Sequence, residues 1–221
     1  RANNDYTTID LEHAEELAYR ELIDSIRYIS LGDECGVMGN IANIITYKGR
    51  FYIQEEQFDR VFIYDDTGRC LKKIDNKGRG PGEYLRIESI DINTEKEELM
   101  LVDGMSDKLF FYDLDGNFKS IHSIRYFQTE NTLCLRDSVF LHISAPSQNF
   151  GNEGLYGYAL VLSKGNENFL KGYRCLPLQV GYKGGGQIFK GYERSCYHPI
   201  YSDTIYQILS DTTYGPIFYF K

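Results

Sequence analysis

The sequence predicts an all-β protein of the β-propeller type, and three observations support this prediction. A segment around Tyr64 is repeated 48 positions later around Tyr112, with the same order of apolar residues, Asp and Gly. The chain contains 19 Tyr and 13 Phe, residue types that favour strands. Short alternating runs separated by Gly-containing turns recur along most of the chain. A repeat of about 40–50 residues built from short strands is typical of a propeller blade.

The first residues of the chain differ from the rest. A polar segment rich in helix-forming residues follows Asp10, whose side chain suits a helix N-cap. We therefore predict an N-terminal arm with a short helix over residues 1–24. Residues 25–31 alternate in character and are predicted to form the first strand of a propeller domain over residues 25–221.

Each copy of the repeat is predicted to form a four-stranded antiparallel sheet. The turns Asp65–Gly68 and Asp113–Gly116 agree position by position, and their glycines suit the positive φ of a short hairpin. The predicted strands of the first blade are residues 41–47, 50–54, 58–64 and 69–74. Those of the second blade are residues 88–92, 99–103, 108–112 and 117–124.

Beyond residue 125 the repeat weakens, although strand patterns continue. The predicted third blade, with a Gly- and Asn-rich insertion, has strands at residues 131–135, 138–144, 158–163 and 169–173. The predicted fourth blade has strands at residues 187–193, 195–200, 204–209 and 216–220. We therefore expect about four blades of a larger, incomplete ring, with a closed ring of four blades as the alternative.

Composition and charge exclude some classes of partner. The formal charge is −8, which argues against nucleic acid because phosphate binding needs clustered Lys and Arg. No apolar run approaches the roughly 18 residues that a membrane span requires. No signal-peptide pattern opens the chain, so any such peptide is expected to have been removed already.

The segment Gly78 to Tyr84 carries a resemblance to a known family. It resembles the G-x-G-P-G-E-[YF] linker of the six-bladed β-propeller proteins (NHL/TolB-like) that Bacteroidetes encode, many as exported lipoproteins. In that family the linker follows a Y-D-x-x-G hairpin, as it follows Tyr64 to Gly68 here. The resemblance is strongest over residues 20–125 and departs from the family at Gln54-Glu55, where an Asp is usual.

The resemblance implies a fold and a location but no activity. It implies a ring of six blades, about two of them outside this chain. It also implies export to the periplasm or the outer-membrane surface, with a lipid anchor on a removed Cys upstream of Arg1. No activity is common to the family's members.

The linker itself is expected to be structural. A phosphate-binding loop would open a helix with Gly-Lys-Ser/Thr, whereas this segment leads into a strand. We interpret it as a tight crossover between blades that is held by an ion pair of Arg79 with Glu83. The residues of this structural motif are Arg79, Gly80, Pro81, Gly82, Glu83 and Tyr84.

No catalytic or metal-binding residues can be assigned from the sequence. The four histidines are far apart, and the five cysteines form no Cys-x-x-Cys pair, so the cysteines are expected to act as small buried apolar residues. Asp65 and Asp113 are expected to hold their turns, and Asp103 a loop. We predict no cofactor, and the carboxylates leave open a divalent ion such as calcium.

Tyrosines near the Gly-rich loops of the third and fourth blades are the candidate ligand-binding residues. Exposed aromatic side chains on loops can stack on sugar rings or anchor a protein partner. The alternative is that these tyrosines pack between blades. The candidates are Tyr156, Tyr158, Tyr182 and Tyr192.

The function that these patterns favour is binding outside the cytoplasm. A propeller presents pre-organised loops, here to a carbohydrate, peptide or protein partner. Membrane association is expected only through the lipid anchor. One alternative is a metal-dependent propeller hydrolase or lyase, lactonase-like or resembling the NHL-repeat lyases, with its site at the channel mouth. A structural component of a surface assembly is a third hypothesis.

Overall fold

The strands of the chain follow the predicted pattern. The computed structural model describes residues 6–13, 21, 23–124, 129, 131–136, 138–143, 158–165, 168–174, 186–190, 195–199, 202–208 and 214–220. The strands within these residues are β1 Thr7–Ile9, β2 Ile41–Tyr47, β3 Arg50–Glu55, β4 Arg60–Asp65, β5 Cys70–Ile74, β6 Ser89–Asn93, β7 Glu98–Asp103, β8 Lys108–Asp113, β9 Phe118–Ser123, β10 Asn131–Arg136, β11 Val139–Ile143, β12 Tyr158–Lys164, β13 Asn168–Arg174, β14 Gln187–Lys190, β15 Ser195–His198, β16 Thr204–Ile208 and β17 Tyr214–Phe220. The predicted blade strands therefore all form, with ends shifted by at most a few residues.

In the part of the chain that the structure describes, the fold is all-β, of the β-propeller type, with four blades. The first blade is β2–β5, the second β6–β9 and the third β10–β13, and in each the strands pair antiparallel in chain order. One compact unit, residues 29–184, holds these three blades. Within this unit β6 lies beside both β2 and β10, as expected for the innermost strands of neighbouring blades.

The other compact unit consists of residues 1–28 and 185–221 and holds the fourth blade, β14–β17. Strand β1 from the arm extends this sheet, because Thr7 pairs in parallel with Phe218. The arm thus contributes a strand that the sequence analysis did not predict. The predicted helix of the arm falls largely on residues 14–20 and 22, outside the described residues, and the predicted boundary at residue 24 stays a prediction.

The 48-residue repeat is confirmed in the strand register. Phe51 pairs with Tyr64 in the first blade, and Leu99 pairs with Tyr112 in the second. In the pairing with the last strand of its blade, each tyrosine is preceded by an irregularity, between Ile63 and Tyr64 and between Phe111 and Tyr112. Identical irregularities at equivalent positions indicate that the two sheets are copies of one structural unit.

The first and second blades pack through an apolar core. Tyr52 and Ile63 from one blade and Leu101 and Phe110 from the other are almost completely buried in it. Burial of each such side chain contributes roughly 1.5–3 kcal/mol. In β6 every residue is buried, since blades flank this strand on both sides.

A disulfide joins Cys35 to Cys70, which corrects the expectation that the cysteines are only small apolar residues. Residues 29–39, here called the strap, run over the first blade, where Cys35 and Met38 pack against a buried cluster that includes Ile53 and Phe62. The Tyr64 hydroxyl donates to the Gly32 carbonyl at 3.2 Å, and the Gly32 amide donates to the Gly68 carbonyl at 2.8 Å. The disulfide therefore fixes a segment that carries no strand of its own.

The strand predicted over residues 25–31 does not form. The alternating pattern was compatible with a strand, but the backbone of Gly32 at its end bonds to a hairpin turn rather than to a neighbouring strand. Within the described residues no helix is long and apolar enough to cross a membrane.

Candidate functional site

Strand direction places several connections of the three-blade unit at one end. Since successive strands of a blade are antiparallel, the turn between its second and third strands lies at the same end as the crossover to the next blade. We call this the crossover end. It comprises the turns 56–59 and 104–107, the crossover 75–88, and the ends of β11 and β12 at Ile143 and Tyr158.

Tyr84 anchors the crossover in the core between the first two blades. Its side chain is fully buried, and its ring meets Phe110 edge to face with the centroids 5.9 Å apart. Its hydroxyl donates to the Asp59 carbonyl at 2.8 Å and accepts from the Asn76 amide at 3.1 Å. Burial raises the pKa of the Tyr84 phenol, so the hydroxyl keeps its proton at any physiological pH.

We expect Tyr84→Phe to lower the free energy of unfolding by about 2 kcal/mol, because it leaves the Asp59 carbonyl and the Asn76 amide without their buried partner. Urea unfolding followed by fluorescence measures this loss. The matched control is Tyr47→Phe, which removes only a 3.4 Å contact to the Thr94 carbonyl at an exposed position. Equal losses in the two variants would contradict the anchoring role.

Two acidic residues clamp the crossover to the flanking turns. Asp59 accepts from the Ile87 amide at 3.0 Å and pairs with Lys77. Asp103 accepts from the Leu85 amide at 2.7 Å and also caps its own turn by accepting from the Met105 amide at 3.0 Å. The crossover and the two turns therefore form one hydrogen-bonded assembly.

Glu55 takes over in the first blade the turn-capping role that Asp103 has in the second. Its carboxylate accepts from the Gln57 amide at 3.1 Å and from the Arg60 guanidinium at 2.9 Å. The neighbouring Gln54 donates to the Ile87 carbonyl at 3.0 Å. Glu55 thus holds the turn, and Gln54 attaches the crossover to the first blade.

The glycine-rich part of the crossover encloses a carboxylate of its own chain. The Gly80 amide donates to Glu83 Oε2 at 2.7 Å, and a Cβ added to Gly78 would lie 1.9 Å from that oxygen. A side chain at position 78 would therefore displace the Glu83 carboxylate, which occupies the place that an external anion would take in a phosphate-binding loop. The predicted ion pair of Arg79 with Glu83 is wrong, because the Gly80 amide binds Glu83 instead and no acid among the described residues lies within ion-pair distance of Arg79.

Apolar side chains stand exposed on the two clamped turns. Phe58 is 51% exposed and Met105 is 65% exposed, and each lies within two residues of a clamping aspartate. The sequence analysis missed both. The turns 56–59 and 104–107 occupy equivalent places in the repeat and are otherwise polar. A large apolar residue in each of them was the feature of the sequence that could have indicated this surface.

The predicted tyrosine site is only partly within the described residues. Tyr158 begins β12 at the crossover end, is half-buried, and meets Phe169 edge to face with the centroids 6.4 Å apart. It also fills the space that a side chain at position 172 would need, since a Cβ on Gly172 would lie 2.5 Å from its ring. Tyr156, Tyr182 and Tyr192 lie outside the described residues, so their role stays a prediction.

An open cleft of about 440 Å³ lies at the opposite end of the first two blades, which we call the turn end. Lys48 pairs there with Glu97, and Arg50 donates to Asp115 at 2.7 Å and to the Leu114 carbonyl at 2.8 Å. Hydrogen bonding to Asp115 raises the pKa of Arg50. Because these charges neutralise one another across the blades, we interpret the cleft as a structural contact.

The aspartates expected to hold turns do so. Asp65 accepts from the amides of Thr67 and Arg69 at 3.0 and 3.1 Å, and Asp113 accepts from the amides of Asp115 and Asn117 at 3.0 and 2.8 Å. Hydrogen bonding from Thr67 lowers the pKa of Asp65 to about 2. Among the residues with described placement, no three His, Cys, Asp or Glu side chains are grouped as metal ligands would be.

His142 lies in a buried polar network of the third blade. Its Nδ1 is 3.0 Å from Thr132 Oγ1, and its Nε2 is 2.8 Å from Ser163 Oγ. Desolvation lowers the pKa of His142 from 6.5 to about 3, so the ring is neutral at physiological pH. Since the side chain is 1% exposed, His142 lies in the core of the third blade.

Comparisons with solved structures show a shared fold. A candidate exported protein of Bacteroides fragilis is similar over 97% of this chain and 60% of its own, with 20% identity and a TM-score of 0.82. A member of the DUF4221 family from Bacteroides vulgatus is similar over 81% of this chain and 57% of its own, with 10% identity and a TM-score of 0.51. A catalytically inactive virginiamycin B lyase of Staphylococcus aureus with quinupristin is similar over 80% of this chain and 55% of its own, with 8% identity and a TM-score of 0.51.

This chain therefore spans about three fifths of the length of the Bacteroides fragilis protein. At these identities the likeness concerns the fold alone. No curated protein matches the sequence. The model of one protein family, described as a domain of unknown function (DUF4934), matches residues 6–221. Since this match covers nearly the whole sequence, the chain belongs to the DUF4934 family.

Proposed function

We propose that this chain is part of an exported binding protein and that the crossover end of its blades recognises a carbohydrate, peptide or protein partner. The observation that carries the proposal is the exposure of Phe58 and Met105 on turns that are clamped by buried hydrogen bonds. Exposed apolar groups on a rigid support lose little conformational entropy on binding. Most loops of a protein surface are polar, so this combination favours recognition.

Two observations support a location outside the cytoplasm. The Cys35–Cys70 disulfide persists in oxidising compartments and is rare in the bacterial cytosol. The similar Bacteroides fragilis protein is itself a candidate exported protein. The resemblance of the linker supports the finer proposal of a six-bladed, NHL/TolB-like ring carried by a lipoprotein in the periplasm or at the outer-membrane surface.

Glycan and peptide arrays probed with the full-length protein test the proposal. We expect Phe58→Ser to weaken binding of the selected ligand at least about tenfold, because hot-spot aromatic residues contribute about 2 kcal/mol or more. The matched control is Phe118→Ser, which changes a Phe of similar exposure, 47%, on the last strand of the second blade. If neither variant loses binding, or if both lose it equally, the proposal that the ligand binds at the crossover end is contradicted.

The hydrolase or lyase hypothesis gains no support from a described residue, since no cluster of ligating side chains was found in the described parts of the chain. It stays a prediction, and a metal analysis of the same full-length protein tests it directly.

A further inference from the structure

Arg79 differs from the other arginines and the lysine of the crossover end. Arg60 pairs with Glu55, Lys77 with Asp59, and Arg86 with Glu88. The exposed guanidinium of Arg79 makes no hydrogen bond or ion pair with another residue in the described part of the chain. The two acids nearest to it along the chain, each four positions away, are already bound, since Asp75 pairs with Lys73 and Glu83 accepts from the Gly80 amide. Arg79 is therefore a cation for which the loop supplies no internal anion.

The backbone that carries Arg79 is held in place on both sides. The Gly78 amide donates to the Tyr84 carbonyl at 2.9 Å, and the Glu83 amide donates to the Gly80 carbonyl at 3.1 Å. Tyr84 fixes the base of this loop in the core. Arg79 is exposed, and the residues on either side of it in the chain are glycines. A partner therefore meets a cation whose attachment point is already ordered.

Apolar groups are attached to the same assembly. Phe58 precedes Asp59, whose carbonyl accepts from Tyr84, and Met105 follows Asp103, whose carboxylate accepts from Leu85 at 2.7 Å. The crossover end thus carries the exposed Arg79 as well as two exposed apolar side chains, Phe58 and Met105.

These groups fit a polypeptide better than a sugar. The Arg60 guanidinium lies 4.5 Å from the centre of the Phe58 ring, over a face that sugar stacking would use. Met105 offers a flexible thioether chain, a group common at peptide-binding surfaces. The guanidinium of an arginine can donate two parallel hydrogen bonds to the two oxygens of one carboxylate. Because the chain carries a formal charge of −8, an unpaired cation is where a carboxylate approaches with the least repulsion.

We infer that Arg79 recognises a carboxylate of a polypeptide partner in which that carboxylate stands next to an apolar residue. This inference rests on the proposed binding function of the crossover end and names its partner. The carboxylate belongs either to an Asp or Glu side chain or to a peptide C-terminus, and the chemistry at Arg79 is the same for both.

The test uses the full-length protein and an array of short peptides that contain Leu or Phe. Matched peptides carry Asp or Glu, or the neutral Asn or Gln, and each is made with a free or an amidated C-terminus. We expect wild-type protein to prefer the carboxylate-bearing member of a pair about tenfold, and added sodium chloride to weaken this preference. If amidation of the peptide C-terminus abolishes the preference, the recognised carboxylate is that of the C-terminus. If the exchange of Asp for Asn or of Glu for Gln abolishes it, the recognised carboxylate is that of the side chain.

Variants separate this inference from the proposed function. Arg79→Gln should abolish the preference for a carboxylate, while Arg79→Lys should retain part of it. The control is Arg69→Gln, which removes an arginine of the same charge from an exposed position at the turn end. Peptide binding that keeps its carboxylate preference in Arg79→Gln overturns the inference but leaves the proposed function intact. Binding to glycans alone also overturns the inference, and unchanged binding in Phe58→Ser overturns the proposed function.

Discussion

Replacing Cys35 and Cys70 together by serine is expected to lower the free energy of unfolding by roughly 3–4 kcal/mol. The two residues are separated by 35 positions, so the disulfide closes a long loop and restricts the unfolded chain. The bond also holds the strap, whose own backbone contacts to the first blade are few. We expect the strap to become the first site of proteolysis in the variant.

Urea unfolding under oxidising and reducing conditions measures this effect. The reduced wild-type protein should unfold at the same urea concentration as the double-serine variant, and reductant should not change the variant. The double replacement is preferable to a single one because it leaves no unpaired thiol at the site. If oxidised wild type and variant unfold at the same urea concentration, the disulfide does not stabilise the blade.

Acidification from pH 7 to pH 4.5 is expected to lower the free energy of unfolding by roughly 2–3 kcal/mol through His142 alone. The pKa of this ring falls from 6.5 to about 3 on folding because burial disfavours its charged form. Between these two values the unfolded chain binds a proton that the folded chain does not. The stabilisation is therefore complete above about pH 6.5 and is lost as the pH falls, by roughly 1.4 kcal/mol for each pH unit.

His142→Gln should remove this part of the pH dependence while leaving the other titrating groups in place. Hydrogen bonding holds the pKa of Asp65 near 2, so its contribution is lost only below pH 4 and does not obscure the effect. If the variant folds poorly, histidine-labelled wild-type protein gives the same answer by NMR. A His142 ring that titrates near pH 6.5 in the folded protein would show that it is not buried as described.

The repeat made the blades predictable from the sequence. Tyr64 and Tyr112 occupy equivalent register positions, and the turns that follow them have equivalent backbone hydrogen bonds, because both turns have an Asp in the first position and a Gly in the fourth. Hairpins of this kind depend on residues close in the chain. The less regular third and fourth blades were still recognisable from alternation, since each strand buries one face.

The long-range contacts were not predictable in the same way. The Cys35–Cys70 pairing depends on the path of the strap, and five cysteines without regular spacing do not reveal it. The sequence suggested an Arg79–Glu83 pair because the two charges are close in the chain. In the folded loop the Gly80 amide competes successfully for Glu83, which nothing in the spacing shows.

The candidate site was predicted less well than the fold. A structural role was predicted for the crossover motif, but Phe58 and Met105 were overlooked because a single exposed apolar residue is ordinary on any surface. Their significance comes from the clamps at Asp59 and Asp103, which only the tertiary structure reveals. The predicted tyrosines stay a separate hypothesis that the same binding experiments can address.

Hydrogen–deuterium exchange, measured with and without the tightest ligand from the arrays, tests most directly whether the crossover end is the recognition surface. The account predicts slower exchange in residues 55–60, 75–88 and 103–108 when the ligand is bound. Slower exchange confined to the turn end, in residues 47–50, 94–98 and 113–117, would contradict it.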